Sequence, residues 1–95
     1  MKKGYWMVRI DVTDPEHFPE YMAASTAAVA AFGGRFLVRG GQAQVAEGAS
    51  RRRHVIIEFD SYAQAQACYT SAEYQQAAAL RQRYAGTDFV IVEGN

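Results

Sequence analysis

Between two glycine pairs, Gly33-Gly34 and Gly40-Gly41, the chain reads Arg35-Phe36-Leu37-Val38-Arg39, a stretch long enough for a β-strand and too short for a helix of normal length. Side chains alternate across a strand, so Arg35 and Arg39 are expected to leave the same side of a sheet. By the same parity Arg9 and Glu58 on neighbouring strands fall on that side. The sequence therefore predicts a sheet with one polar face that no helix covers, and such a face needs a cleft or a subunit interface.

The rest of the chain supplies the sheet and its cover. Tyr5 to Val12 alternates Trp6, Val8, Ile10 and Val12 against Tyr5, Met7, Arg9 and Asp11, the period of a half-buried strand. Asp14-Pro15 offers a cap and a first helical residue, and Phe18, Tyr21, Met22, Ser25, Ala28, Val29 and Phe32 then follow helical spacing up to Gly33. Pro19 conflicts with a helix begun at Pro15, so a separate or kinked first turn is expected. Strand two begins at Arg35, bulges or bends at Gly40-Gly41 and resumes over Gln42 to Glu47. Strand three spans Arg53 to Asp60. Ser61 and Gln64 have capping-box spacing, Ser71 caps a further helix that Gly86 stops, and Asp88 to Glu93 is the last strand. The order β-α-β-β-α-β predicts an α+β, ferredoxin-like domain over residues 1–95, with a four-stranded antiparallel sheet and the helices on one face.

Composition narrows the function classes. A chain of 95 residues buries only about 60–70% of its unfolded surface, so a partner would help its thin core. Lys plus Arg and Asp plus Glu are ten each, which gives no overall field toward nucleic acid or an anionic membrane. Arg51-Arg52-Arg53 is the one concentrated run, and its expected place is a solvated hairpin tip. RNA-recognition modules share this element order, but their third strand carries stacking aromatics where this one has Val55, Ile56 and Ile57. No window reaches the length of a membrane span, and Met1-Lys2-Lys3 is not followed by an apolar export segment. Cys68 has no partner for a disulfide, so a cytoplasmic protein is expected. His17, His54 and Cys68 have no metal-ligand spacing, and no metal or redox cofactor is expected.

Gly4-Tyr5-Trp6, Asp14-Pro15, the double-glycine strand, Ile57-Glu58-Phe59, Tyr69-Thr70-Ser71-Ala72-Glu73-Tyr74, Leu80-Arg81 and Ile91-Val92-Glu93-Gly94 together resemble the bacterial family catalogued as domain of unknown function 1330. The resemblance covers nearly the whole chain, with Ala72 where proline is expected. It implies a dimeric α/β barrel in which two sheets face each other, and it implies no activity. Wider relatives of that fold include cofactor-free monooxygenases, isomerases and haem proteins, so fold does not select a chemistry.

Two groups of residues are candidates for a site. Arg9, Arg39, His54 and Glu58, with Arg35 nearby, are expected to meet on the bare face, as a binding set for a small anionic or oxygenated ligand or as an ion-pair network that sets dimer register. Tyr21, Tyr69, Tyr74 and Arg81 belong to the helical layer, as core packing or as the lining of a second pocket. Trp6 is expected to anchor the helices, and Cys68 to be inert core. No catalytic signature names a reaction. The functional expectation is a homodimer that binds a small molecule; the alternative is a cofactor-free monooxygenase- or isomerase-like enzyme acting on a small aromatic or oxygenated substrate.

Overall fold

The alternation of β1 (Gly4–Val12) sorts its side chains cleanly: Trp6, Val8 and Ile10 are buried, whereas Met7 and Arg9 are exposed. A computed structural model describes residues 1–95. The remaining elements are α1 (Phe18–Ala31), β2 (Arg35–Arg39), β3 (Arg53–Phe59), α2 (Tyr62–Thr70), α3 (Ala72–Tyr84) and β4 (Ala85–Glu93). The four strands form one antiparallel sheet in the order β2-β3-β1-β4. All three helices pack on one of its faces, which makes the fold ferredoxin-like α+β.

Residues of like parity on β1 and β3 meet beneath the helices. Trp6 pairs with Ile57 and Val8 with Val55, and both rungs are buried. Trp6 is fully buried against Phe59, Tyr74 and Phe89, with ring centroids 4.6–5.0 Å away, and its indole N–H donates to the Ala65 carbonyl at 2.9 Å. That bond fastens α2 to the centre of the sheet and satisfies the one polar atom of the ring.

The helix ends obey local chemistry. Asp14 and Pro15 form a turn of their own, in which Asp14 accepts from the His17 backbone N–H at 3.2 Å and from its ring at 2.9 Å. Helix α1 starts only at Phe18, so Pro19 falls in its first turn, where a missing N–H costs nothing. It ends at Ala31, and Gly33, just past the cap, has a φ of +70° that suits a residue without a Cβ. Ser61 caps α2 by accepting from the Gln64 N–H at 3.1 Å, but the Gln64 side chain donates to the Phe32 carbonyl instead of completing the box. Ser71 separates α2 from α3 and accepts from the Tyr74 N–H at 3.2 Å.

Three expectations about the chain's path are corrected. The irregularity in β2 lies between Phe36 and Val38, at Leu37, not at Gly40-Gly41. Residues 42–47 form no strand and are exposed; the chain crosses to β3 as an open connection. Gly86 does not stop α3, which ends at Tyr84, but lies within β4.

Candidate functional site

The bare sheet face carries two separate polar groups. At one end, Tyr5 and Arg35 both pair with Glu58 across neighbouring strands. Arg35 donates to one Glu58 oxygen through Nε and Nη2 at 3.1 and 2.9 Å, and the Tyr5 hydroxyl donates to the other at 2.9 Å. Arg35 also reaches Asp60 at 3.3 Å, with Lys3 3.5 Å from the same carboxylate. The Arg35 donors, and then Tyr5, hold the Glu58 carboxyl below its usual range. Both of its oxygens are already engaged. At the other end, Arg9 lies between His54 and Asp88 in register, and Arg51 bridges Asp11 and Asp88 at 3.1 Å each. The Met7–Ile56 rung separates the two groups, so Arg9 and His54 do not meet Glu58.

Arg39 is absent from that face altogether. The extra residue at Leu37 reverses the parity of the rest of the strand, so Val38 pairs with Ile56 and Arg39 with the buried Val55. Arg39 therefore points toward α1. Its Nη2 donates to the Met22 carbonyl at 3.0 Å and the Thr26 hydroxyl at 2.8 Å, and its guanidinium lies 4.0 Å from the centre of the Phe36 ring.

There it meets Arg53, which the sequence assigns to a solvated run. Only Arg52 of that run is exposed; Arg51 is ion-paired, and Arg53 shares the parity of Val55 and Ile57 and turns inward. Its guanidinium lies 5.6 Å from the Phe18 ring, makes no hydrogen bond, and has a buried Nε without a partner. Gly40, with φ of +72°, makes this position possible, because a Cβ there would collide with the Arg53 guanidinium. Burial, and then the neighbouring Arg53 charge, hold Arg39 below the usual arginine value.

The two arginines border a cavity between α1 and the sheet, walled by Val8, Ile10, Phe18, Met22 and Phe36 among others. No carboxylate lines it. The enclosed space offers about 10 Å³ to the centres of water-sized spheres, room for roughly one water, so a larger occupant requires the wall to move.

Tyr21 also lines this cavity and starts a buried polar chain. Its hydroxyl lies 2.8 Å from that of Tyr74, which accepts from Arg81 Nη1 at 2.7 Å. Arg81 is only 5% exposed and has no carboxylate partner, and its Nε is an orphan. Aromatic faces stand in for a counter-ion, with Phe89 at 5.4 Å and Tyr21 and Tyr74 at 5.9 Å from its guanidinium carbon. Burial outweighs every other influence on Tyr74 and pushes its phenol far above the usual value. Tyr69 makes no hydrogen bond to this polar chain; its ring packs on Trp6, Tyr74 and Phe89, outside the cavity wall.

Cys68 is fully buried, and burial raises its thiol to about 12. No group of three or more His, Cys, Asp or Glu is arranged to hold a metal ion, and no helix is long and apolar enough to cross a membrane. The model of the family described as "Domain of unknown function (DUF1330)" matches residues 3–95. The chain belongs to that family. Among proteins with curated descriptions none matches this DUF1330 chain. Solved structures do. A protein of unknown function from Rhodopseudomonas palustris is 16% identical, with a TM-score of 0.74 over 96% of this chain and 81% of that one. A dimeric ferredoxin-like protein of unknown function from Thermobifida fusca is 15% identical, with a TM-score of 0.64 over 97% and 89%. SnoaB, described as a cofactor-independent oxygenase from Streptomyces nogalater, is 8% identical, with a TM-score of 0.58 over 100% and 95%. At these identities the likeness is one of fold.

Proposed function

We propose that this DUF1330 protein binds a small molecule with an apolar body and an anionic head in the cavity between α1 and the sheet, with Arg39 and Arg53 receiving the head. One observation carries the reading: two arginines border one apolar cavity, no carboxylate lines it, and Arg53 makes no hydrogen bond. Adjacent cations without an anion repel each other and leave donors unspent, and a carboxylate resolves both costs through charge-assisted bonds. The bare-face set becomes the structural part of the reading, with Glu58 and Arg35 fixing the sheet's outer register.

The same proposal makes the protein a homodimer in a reducing cytoplasm. Met7, Val90 and Val92 form an exposed apolar strip, with the half-buried Ile56, on the face away from the helices. A self-complementary partner would cover that strip, and the Thermobifida fusca protein is described as dimeric.

The test is calorimetric titration with a series of aromatic and aliphatic monocarboxylates. Saturable binding is expected, and Arg53→Met should weaken it by about tenfold or more, the loss of a charged hydrogen bond. Absence of binding across the series, or equal binding by Arg53→Met, overturns the reading.

A second reading is enzymatic. The buried phenols and guanidinium beside the cavity favour it, since a cofactor-free oxygenase needs a way to ionise its substrate, and SnoaB is described as such an oxygenase. Oxygen uptake by purified protein supplied with an electron-rich phenol tests it; ligand binding without uptake retains the first reading alone.

A further inference from the structure

Arg81 has only donors to offer, so the Tyr74 oxygen must accept from it. Tyr74 is wholly buried, and the Tyr21 oxygen at 2.8 Å is the acceptor within reach of its hydroxyl hydrogen. If Tyr21 donated instead, the Tyr74 hydrogen would be left unpaired in the core. The favoured direction of donation is Arg81 to Tyr74 to Tyr21. The Tyr21 hydrogen is then unspent, because Arg81, the other polar group beside its hydroxyl, is a donor and cannot accept it, and Tyr21 lines the cavity.

As an extension of the carboxylate-binding proposal, on which it rests, we infer that Tyr21 donates to an ionised phenol or enol oxygen of the bound molecule, with Arg81 as a positioning residue acting through Tyr74. A phenol chain ending in a guanidinium spreads a buried positive charge toward its free end, and hydrogen bonds in series strengthen one another. The ligand class narrows accordingly, to small acids that carry a second, ionisable oxygen. The charged groups near the cavity are all cations: Arg39 and Arg53 at its border and Arg81 behind the phenols. Each favours the ionised ligand, so the experiment has to isolate the share contributed by the phenols.

The probe is 4-hydroxy-3-nitrobenzoate, which has a carboxylate and a phenol whose ionisation is visible by absorbance. Calorimetry first measures its binding at a pH where the phenol is ionised. The phenol is then titrated free and at saturating protein. Binding to the unaltered protein should lower the titration midpoint by about one pH unit or more, and Tyr21→Phe should remove at least half of that change while still binding the probe. Tyr74→Phe, which cuts the link to Arg81 and leaves the Tyr21 hydroxyl in place, should remove a similar share. A bound probe whose midpoint is unchanged, or a Tyr21→Phe protein that lowers it as far as the unaltered one, overturns the inference and leaves the cavity reading standing. Failure of the probe to bind overturns the inference, and it takes the cavity reading with it only where the whole monocarboxylate series also fails to bind.

Discussion

Phe36 and Arg39 lie three positions apart on one short strand and yet share its inner face, the guanidinium carbon 4.0 Å from the ring centre. Regular alternation would put them on opposite faces. The inserted Leu37, more than half exposed, is what brings them together.

Deleting Leu37 is therefore expected to be tolerated. The shortened strand pairs Phe36 with Ile57, Val38 with Ile56 and Arg39 with Val55 without a bulge, so Arg39 keeps its place against α1. Urea unfolding should give a stability within about 1 kcal/mol of the unaltered protein, and ligand affinity should survive. Collapse of the fold would show that the bulge itself, rather than the parity it creates, is needed.

The Arg35–Glu58 pair predicts a pH dependence of stability. Arg35 and Tyr5 depress the Glu58 carboxyl in the folded chain, so the unfolded state binds its proton first as pH falls. The stabilisation is complete above the ordinary carboxylate range and is lost as pH drops through the lowered native value. The urea midpoint of the unaltered protein should exceed that of Glu58→Gln at neutral pH, and the gap should close below the ordinary carboxylate range. A gap independent of pH would remove the charge from the account.

Cys68 should be silent to thiol reagents in the native state. It is fully buried, and its thiol is raised to about 12, so little thiolate forms at pH 8. Reaction with a disulfide reagent should track unfolding by urea. Prompt reaction without denaturant would place Cys68 in a mobile region.

Trp6→Phe should cost roughly 2–3 kcal/mol in urea unfolding, from the volume lost and from the Ala65 bond that fastens α2. A loss under 0.5 kcal/mol, about that of a surface change, would mean that α2 is held by something else.

On the bare face, Val90→Asp should yield a folded monomer by sedimentation where the unaltered chain sediments as a dimer. Val90 is half exposed and lies beside Met7, so the substitution puts a charge into the apolar strip without touching the core. An unaltered chain that sediments as a monomer contradicts the dimer outright.

The fold is readable from the sequence wherever side-chain parity holds. β1 and β3 are long enough for alternation to separate inner from outer residues, and Ser61, Ser71 and Gly33 mark helix ends by local chemistry. The bulge at Leu37 leaves no such mark. Its residues are ordinary strand formers, whereas the glycine pair that begins three positions later looks like the irregular spot, and its first member, Gly40, serves instead to let Arg53 pass. Arg53 has a usable signal, the parity it shares with Val55 and Ile57, which its two arginine neighbours obscure. Tyr74 and Arg81 sit two turns apart on α3 and so are legible as one helix face; their junction with Tyr21 depends on the long-range packing of α1 on α3, which no spacing encodes.

The Tyr84 carbonyl that ends α3 accepts from the backbone N–H groups of both Thr13 and Asp14, at 2.8 and 3.0 Å, in the stretch leading into α1. The front of one helix and the back of another are thus stitched to a single oxygen. A molecule that pries α1 from the sheet must either tear that stitch or drag α3 along, and α3 carries Arg81. Entry at one wall would then be felt at the guanidinium on the far side of the phenols.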